Sequence, residues 1–165
     1  MYPSAMHEAF GRDGLRLLGG VTMMHRPSTD TPRFVEAILN ARLTWFVARL
    51  ALVGAYLLGG IVKLTDFQGA VAEQAHFGLS PPAFWAVLTI TVELIGSVLI
   101  LWGRFLWLGA GMLGVFTGLA AIIANAFWTM DGQERFMATN AFFEHIGLIG
   151  GLVLAAMLAE RERRQ

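Results

Sequence analysis

The chain alternates between long apolar runs and short polar breaks. Four runs approach or exceed the roughly 20 residues that a helix needs to cross a bilayer core. They cover about Leu43 to Leu64, Ala83 to Trp102, Phe105 to Trp128 and Asn140 to Ala159. Each is too long for a buried strand, so the pattern predicts four membrane-spanning helices. Trp45, Trp85, Trp102, Trp107 and Trp128 all fall near the ends of these runs, where amphipathic rings anchor at the membrane–water boundary. Between the third and second runs stands only a Gly103–Arg104 turn. A connection that short makes the two helices antiparallel neighbours.

The polar breaks predict the remaining elements. Asp66 is placed to cap a short helix running to about His76, and Gly78 with Pro81 and Pro82 ends it. Phe67, Val71 and Ala75 share one face of that helix, which predicts that it lies on the outer membrane interface. Upstream, Thr31-Pro32 reads as a helix start. Phe34, Ile38 and Leu39 could lay one face of that helix on the membrane, a short flexible leader being the alternative. The stretch from Leu15 to Met24 is broken by Arg16, Gly19, Gly20 and Thr22, so no signal peptide is expected there.

Orientation follows from the basic residues. Arg12, Arg16, Arg26, Arg33 and Arg42 precede the first span, Arg104 sits in the second connection, and Arg161, Arg163 and Arg164 follow the fourth span. The first connection has no Lys or Arg, and the third has only Arg135. The positive-inside bias therefore predicts both termini in the cytoplasm. The expected architecture is all-α: an antiparallel four-helix transmembrane bundle. Residues 1–42 form a polar cytoplasmic arm, 43–159 the membrane domain and 160–165 a charged tail.

Composition narrows the function classes. Of 165 residues, 56% are hydrophobic and 15% charged, against about 25% charged in soluble domains. That excludes an ordinary soluble enzyme and a disordered chain. The net charge is zero, so nothing points to nucleic acid. The absence of Cys removes disulfides, thiolate catalysis, Cys-ligated zinc and iron–sulfur clusters together. Gly114 with Gly118, and Gly147 with Gly151, are small-residue pairs of the kind that let membrane helices approach closely.

The candidate chemistry lies in ionisable residues inside the spans, each of which needs a partner or a cavity. These are Arg49, Lys63, Glu93 and Glu144, joined by His145 and Asn125. Glu93 falls near the midplane and Arg49 about two turns inside the cytoplasmic end, which predicts an intramembrane Arg49–Glu93 pair. Lys63, Asn125, Glu144 and His145 fall in the outer half and are expected to form a polar pocket with Trp128 close by. The alternative for both sets is simple pinning of the bundle. Glu144 and His145 point about 100° apart on a helix, so they are not a chelating pair, and no metal site or catalytic residue is assigned.

Taken in order, several of these residues carry a resemblance. Arg49, Leu57-Leu58-Gly59-Gly60, Lys63-Leu64-Thr65-Asp66-Phe67, Gly78-Leu79, Glu93 with Gly96, Gly103–Arg104, Phe127-Trp128, and Phe142 through Gly150-Gly151 together resemble the DoxX family of small bacterial membrane proteins. The resemblance covers about Leu43 to Leu158. It implies a four-helix inner-membrane bundle of the kind associated with quinone-linked oxidoreductases, thiosulfate:quinone oxidoreductase among them. The family often has Lys-Asn where this chain has Glu144-His145.

Two functions of different kind follow. One is a membrane subunit of an oxidoreductase or electron-transfer complex, touching the quinone pool. Lys63, Asn125, Trp128, Glu144 and His145 would then serve the headgroup, and a partner would supply the redox centre. The other is a structural or assembly subunit with no chemistry of its own. A small transporter is the weaker third, since four helices without a broken-helix pair lack the usual repeat architecture.

Overall fold

The computed structural model describes residues 31–164. It is helical throughout these residues, with six α-helices and no strand. The chain divides into two units between Leu39 and Asn40, and α1 (Arg33–Asn40) falls almost wholly in the first. α1 begins one residue after Pro32, whose carbonyl accepts from the amides of Val35 and Glu36. The rest of the polar arm, residues 1–30, lies outside the described residues.

The second unit holds α2 (Arg42–Thr65), α3 (Phe67–His76), α4 (Pro82–Trp102), α5 (Leu106–Ala124) and α6 (Gly132–Arg163). Four segments are long and apolar enough to cross a membrane: α2, α4, α6, and α5 together with the 3-10 turn Phe127–Thr129. α4 packs against α2 on one side and α5 on the other, while α6 packs chiefly against α5. The ring closes only where α6 touches α2, with Leu52 Cδ1 3.2 Å from where a Gly151 Cβ would stand. Near that closure lies the core: Val53, Tyr56, Ile100, Leu106, Ala110, Leu113 and Leu152, all buried.

Glycines set the closest approaches. A Cβ on Gly109 would lie 2.6 Å from the Gly96 carbonyl oxygen, and one on Gly60 would lie 2.7 Å from Leu94 Cδ2. Backbone can therefore meet backbone between α4 and α5, and α2 can lie flush on α4. Gly103 adopts φ +80° at the C-terminus of α4, a left-handed conformation that glycine adopts without strain.

α3 starts as its sequence dictates, the Asp66 side chain accepting from the Gly69 amide at 2.9 Å. It packs on α4 and α2 through Ala70 and Gln74, which are buried, whereas Phe67 and Ala75 are exposed. The polar Gln74 face turns inward and the apolar face outward, the sense of burial suited to a lipid surround.

Candidate functional site

The charged residues of the spans do not meet as their depth alone predicts. Glu93, on α4, is 4% exposed and pairs with Lys63 of α2, Nζ to Oε1 at 3.3 Å. Glu73 of α3 stands on the other side of the same ammonium, its Oε2 4.0 Å from Lys63 Nζ. Gly59, one turn before Lys63, lies against the cluster. A Cβ there would lie 3.4 and 3.5 Å from the two Glu93 carboxylate oxygens and 3.5 Å from Lys63 Nζ. The expected Arg49–Glu93 pair does not form, because Lys63 is the cation beside Glu93. Arg49 is at the opposite end of α2, its guanidinium 5.9 Å from the Trp45 ring centre and its Nη1 packed over the Gly103 turn.

The Glu93 carboxylate is only half served. Oε1 accepts a hydrogen bond from Lys63 Nζ, while Oε2 is buried with no hydrogen-bond partner among the described residues. The polar line continues toward the core. Ser97 donates to the Glu93 backbone carbonyl at 2.6 Å, and the Thr117 hydroxyl donates to the Leu113 carbonyl at 2.6 Å. With its one hydrogen spent, Thr117 can only accept from Tyr56, whose hydroxyl lies 2.5 Å away.

The other sequence-predicted residues gather elsewhere. Asn125 is the C-cap of α5, and the following Phe127 and Trp128 pack edge-to-face with Phe142 of α6 at centroid distances of 5.4 and 6.1 Å. His145 stands one turn beyond Phe142. Its Nδ1 lies 2.6 Å from the Ala141 carbonyl; a carbonyl can only accept, so Nδ1 donates, and in the neutral ring Nε2 is the free acceptor. Glu144 is exposed on the neighbouring face and has no ion pair among the described residues. So Lys63 is separated in its pairing from Asn125, Trp128, Glu144 and His145, and the single outer pocket becomes two sites. One, Lys63–Glu93–Glu73, is enclosed by α2, α3 and α4. The other, at the α5–α6 corner, is open. Among the described residues no group of three His, Cys, Asp or Glu is arranged to hold a metal ion.

Sequence reasoning missed Glu73. The signal was there: Glu73 precedes Gln74, the buried polar residue of α3, so a helix that turns its polar face inward carries Glu73 toward the bundle.

The sequence model of the DoxX family matches residues 44–126. The chain belongs to the DoxX family. It is an integral membrane protein, and the family match takes in nearly all of α2 and the whole of α3, α4 and α5. Arg49, Lys63, Glu73 and Glu93 lie within the matched DoxX region, and Glu144 and His145 beyond it. The DoxX chain is also similar to inner membrane protein YphA of Escherichia coli (strain K12), at 26% identity over 128 residues, 78% of this chain and 91% of that protein. No solved structure matches.

Proposed function

We propose that this DoxX protein is an inner-membrane subunit of an oxidoreductase or electron-transfer complex, with both termini in the cytoplasm. The observation that carries the reading is the exposed polar face of α6. A carboxylate and an imidazole acceptor stand there within a membrane span and find no ionic partner among the described residues. Charged and polar groups in a span face a partner or a water-filled cavity, because lipid serves neither. Glu144 accordingly docks a second membrane protein through a cationic or donor group on that protein.

The corner beside it suits a quinone-type headgroup shared with the partner. Phe127, Trp128 and Phe142 offer aromatic faces, His145 Nε2 an acceptor for a quinol hydroxyl, and the Asn125 amide a donor for a quinone carbonyl. The chain contains no Cys and only one span histidine, so the redox centre belongs to the partner. The inner-membrane placement rests on the similarity to the inner membrane protein YphA, and the cytoplasmic orientation on the arginine distribution.

The test is purification of the gently solubilised complex carrying either Glu144→Leu or His145→Phe, with subunit content and quinone-linked electron transfer measured on the same sample. Glu144→Leu should lose the partner. His145→Phe should keep the partner and slow electron transfer. Intact subunits with unchanged transfer in both variants would leave the chain as a structural subunit.

A further inference from the structure

Three charged side chains from three helices stand in line at the α3 end of the bundle. Side-chain exposure falls along the line, from 45% at Glu73 to 17% at Lys63 and 6% at Glu93. The spacing is 4.0 Å from Glu73 to the ammonium and 3.3 Å from the ammonium to Glu93. A structural pin needs one acid and one base. Here two carboxylates share one ammonium, and the inner one keeps a buried oxygen, Oε2, with no partner. One added proton relieves the excess negative charge, and the oxygen of a neutral acid is cheaper to bury without a partner than that of a carboxylate.

We propose that Glu93 is a proton-binding site within the membrane, loaded and emptied from the α3 side through Glu73 and Lys63. In loading, the Lys63 ammonium gives a proton to Glu93 Oε1. An N–H bond breaks and an O–H bond forms, leaving a neutral amine and a carboxylic acid. The amine lone pair then takes a proton from the Glu73 carboxylic acid, which water at the α3 surface has protonated. One proton has passed from water to Glu93, and no electron has moved. Gly59 lies against both side chains, 3.4 Å from Glu93 Oε1 and 3.5 Å from Lys63 Nζ as measured from where its Cβ would stand.

The surroundings make this a one-sided site. Of the elements packed on α4, α2 presents Lys63 and Tyr56 and, at the far Gly103 end, Arg49; α3 presents Glu73, with His76 exposed at its last turn; and α5 has no titratable residue. Toward the core, the Tyr56 hydroxyl is committed to Thr117 and the Thr117 hydroxyl to Leu113. The line of exchangeable protons ends there, so Glu93 stores a proton and does not pass it across the bundle. The site is separate from the α6 corner, and it stands whether or not a partner or a quinone binds there.

The test uses the full chain alone in lipid nanodiscs, so failure of the partner reading leaves it intact. Dicyclohexylcarbodiimide, a lipid-soluble reagent for protonated carboxyl groups, is applied across a pH series, and modified residues are mapped by mass spectrometry. Glu93 should be labelled, and faster as the pH falls. A pH jump followed by infrared spectroscopy should show a carboxylic-acid carbonyl band that Glu93→Gln removes. Glu73→Gln should leave that band's final amplitude unchanged and slow its appearance about a hundredfold, the low end of what a positioned acid contributes to proton transfer. No labelling of Glu93 at any pH would overturn the proposal, as would an unchanged rate in Glu73→Gln. Protection of Glu93 by sodium at constant pH would assign the site to a metal cation instead. The labelling result needs no variant, so a Glu93→Gln chain that fails to fold leaves the test decisive.

Discussion

Replacing Lys63 with Met removes the cation paired with Glu93 among the described residues and keeps most of the side-chain volume. At 3.3 Å and an effective dielectric of ~20, the pair's Coulomb attraction is worth about 5 kcal/mol. Not all of it is lost, because the stranded carboxylate can take up a proton. From the ordinary glutamate value, doing so at pH 7 costs about 3.7 kcal/mol, and at pH 5 about 1 kcal/mol. The lower route governs, so Lys63→Met should lose about 3–4 kcal/mol at neutral pH and much less at pH 5. Thermal unfolding in one fixed detergent, followed by tryptophan fluorescence, reads this as a fall in Tm of about 6–16 °C at neutral pH, at the ~2–4 °C per kcal/mol usual for this chain length. Adding Glu93→Leu removes the buried charge and should bring stability back to within about 1 kcal/mol of the starting protein, since buried pairs are replaceable by apolar residues. Arg49→Leu combined with Glu93→Leu should instead be additive, within about 0.5 kcal/mol. Two results refute the reasoning: no recovery in the Lys63→Met, Glu93→Leu double variant, or strong coupling between positions 49 and 93.

Two further outcomes follow from the fold. Gly109→Ala drives a methyl group to 2.6 Å from the Gly96 carbonyl oxygen, which backbone geometry cannot yield, whereas Gly111 faces open space. The first should cost at least about 1–3 kcal/mol, and Gly111→Ala should match or exceed the parent stability; equal melting of the two variants would refute the close α4–α5 contact. Reporter fusions after residues 72 and 133 should read as outside and one at residue 165 as inside, and the reverse pattern would overturn the cytoplasmic placement of the termini.

The helices of the membrane were legible because transfer from water to lipid acts on every residue of a run. α2 and α4 begin and end within a residue or two of their apolar stretches. α6 exceeds its apolar run at both ends, from Gly132 to Arg163. Hydropathy marks where lipid stops, and the polar flanks contain no proline to stop the helix there. α5 stops at Ala124 and not near Trp128, because Phe127 and Trp128 turn to stack on Phe142.

Pairing was harder to read, because it depends on how two helices slide past each other. Gly60 lies flush on Leu94, and Gly59 faces Glu93. That contact fixes the level of Glu93 on α2, one turn from Lys63 and about 15 Å along the axis from Arg49. Counting residues from each end of a span assumes that all helices are vertical and equally deep. The Gly59-Gly60 pair was visible in the sequence, but the residue it would meet on α4 was not. The split of the polar pocket has a similar cause, since α6 follows α5 and reaches α2 only at Leu52 and its neighbours.

The turn at Gly103 bears on how the protein is made. Gly96 and Gly109, whose backbones touch, are only thirteen residues apart in the chain. α4 and α5 can therefore close on each other as a hairpin before α6 joins the bundle, so their pairing needs no later segment. Arg49 belongs to α2, which is made earlier, and it lies over Gly103 where any side chain at that turn would have to go. The first span is thus a template awaiting the hairpin, and the hairpin must arrive in one rotational setting. One residue added within α5 between the turn and Gly109 would rotate the residues beyond it by about 100° relative to the turn and carry Gly109 away from Gly96, so the spacing from the turn to Gly109 is constrained by that contact.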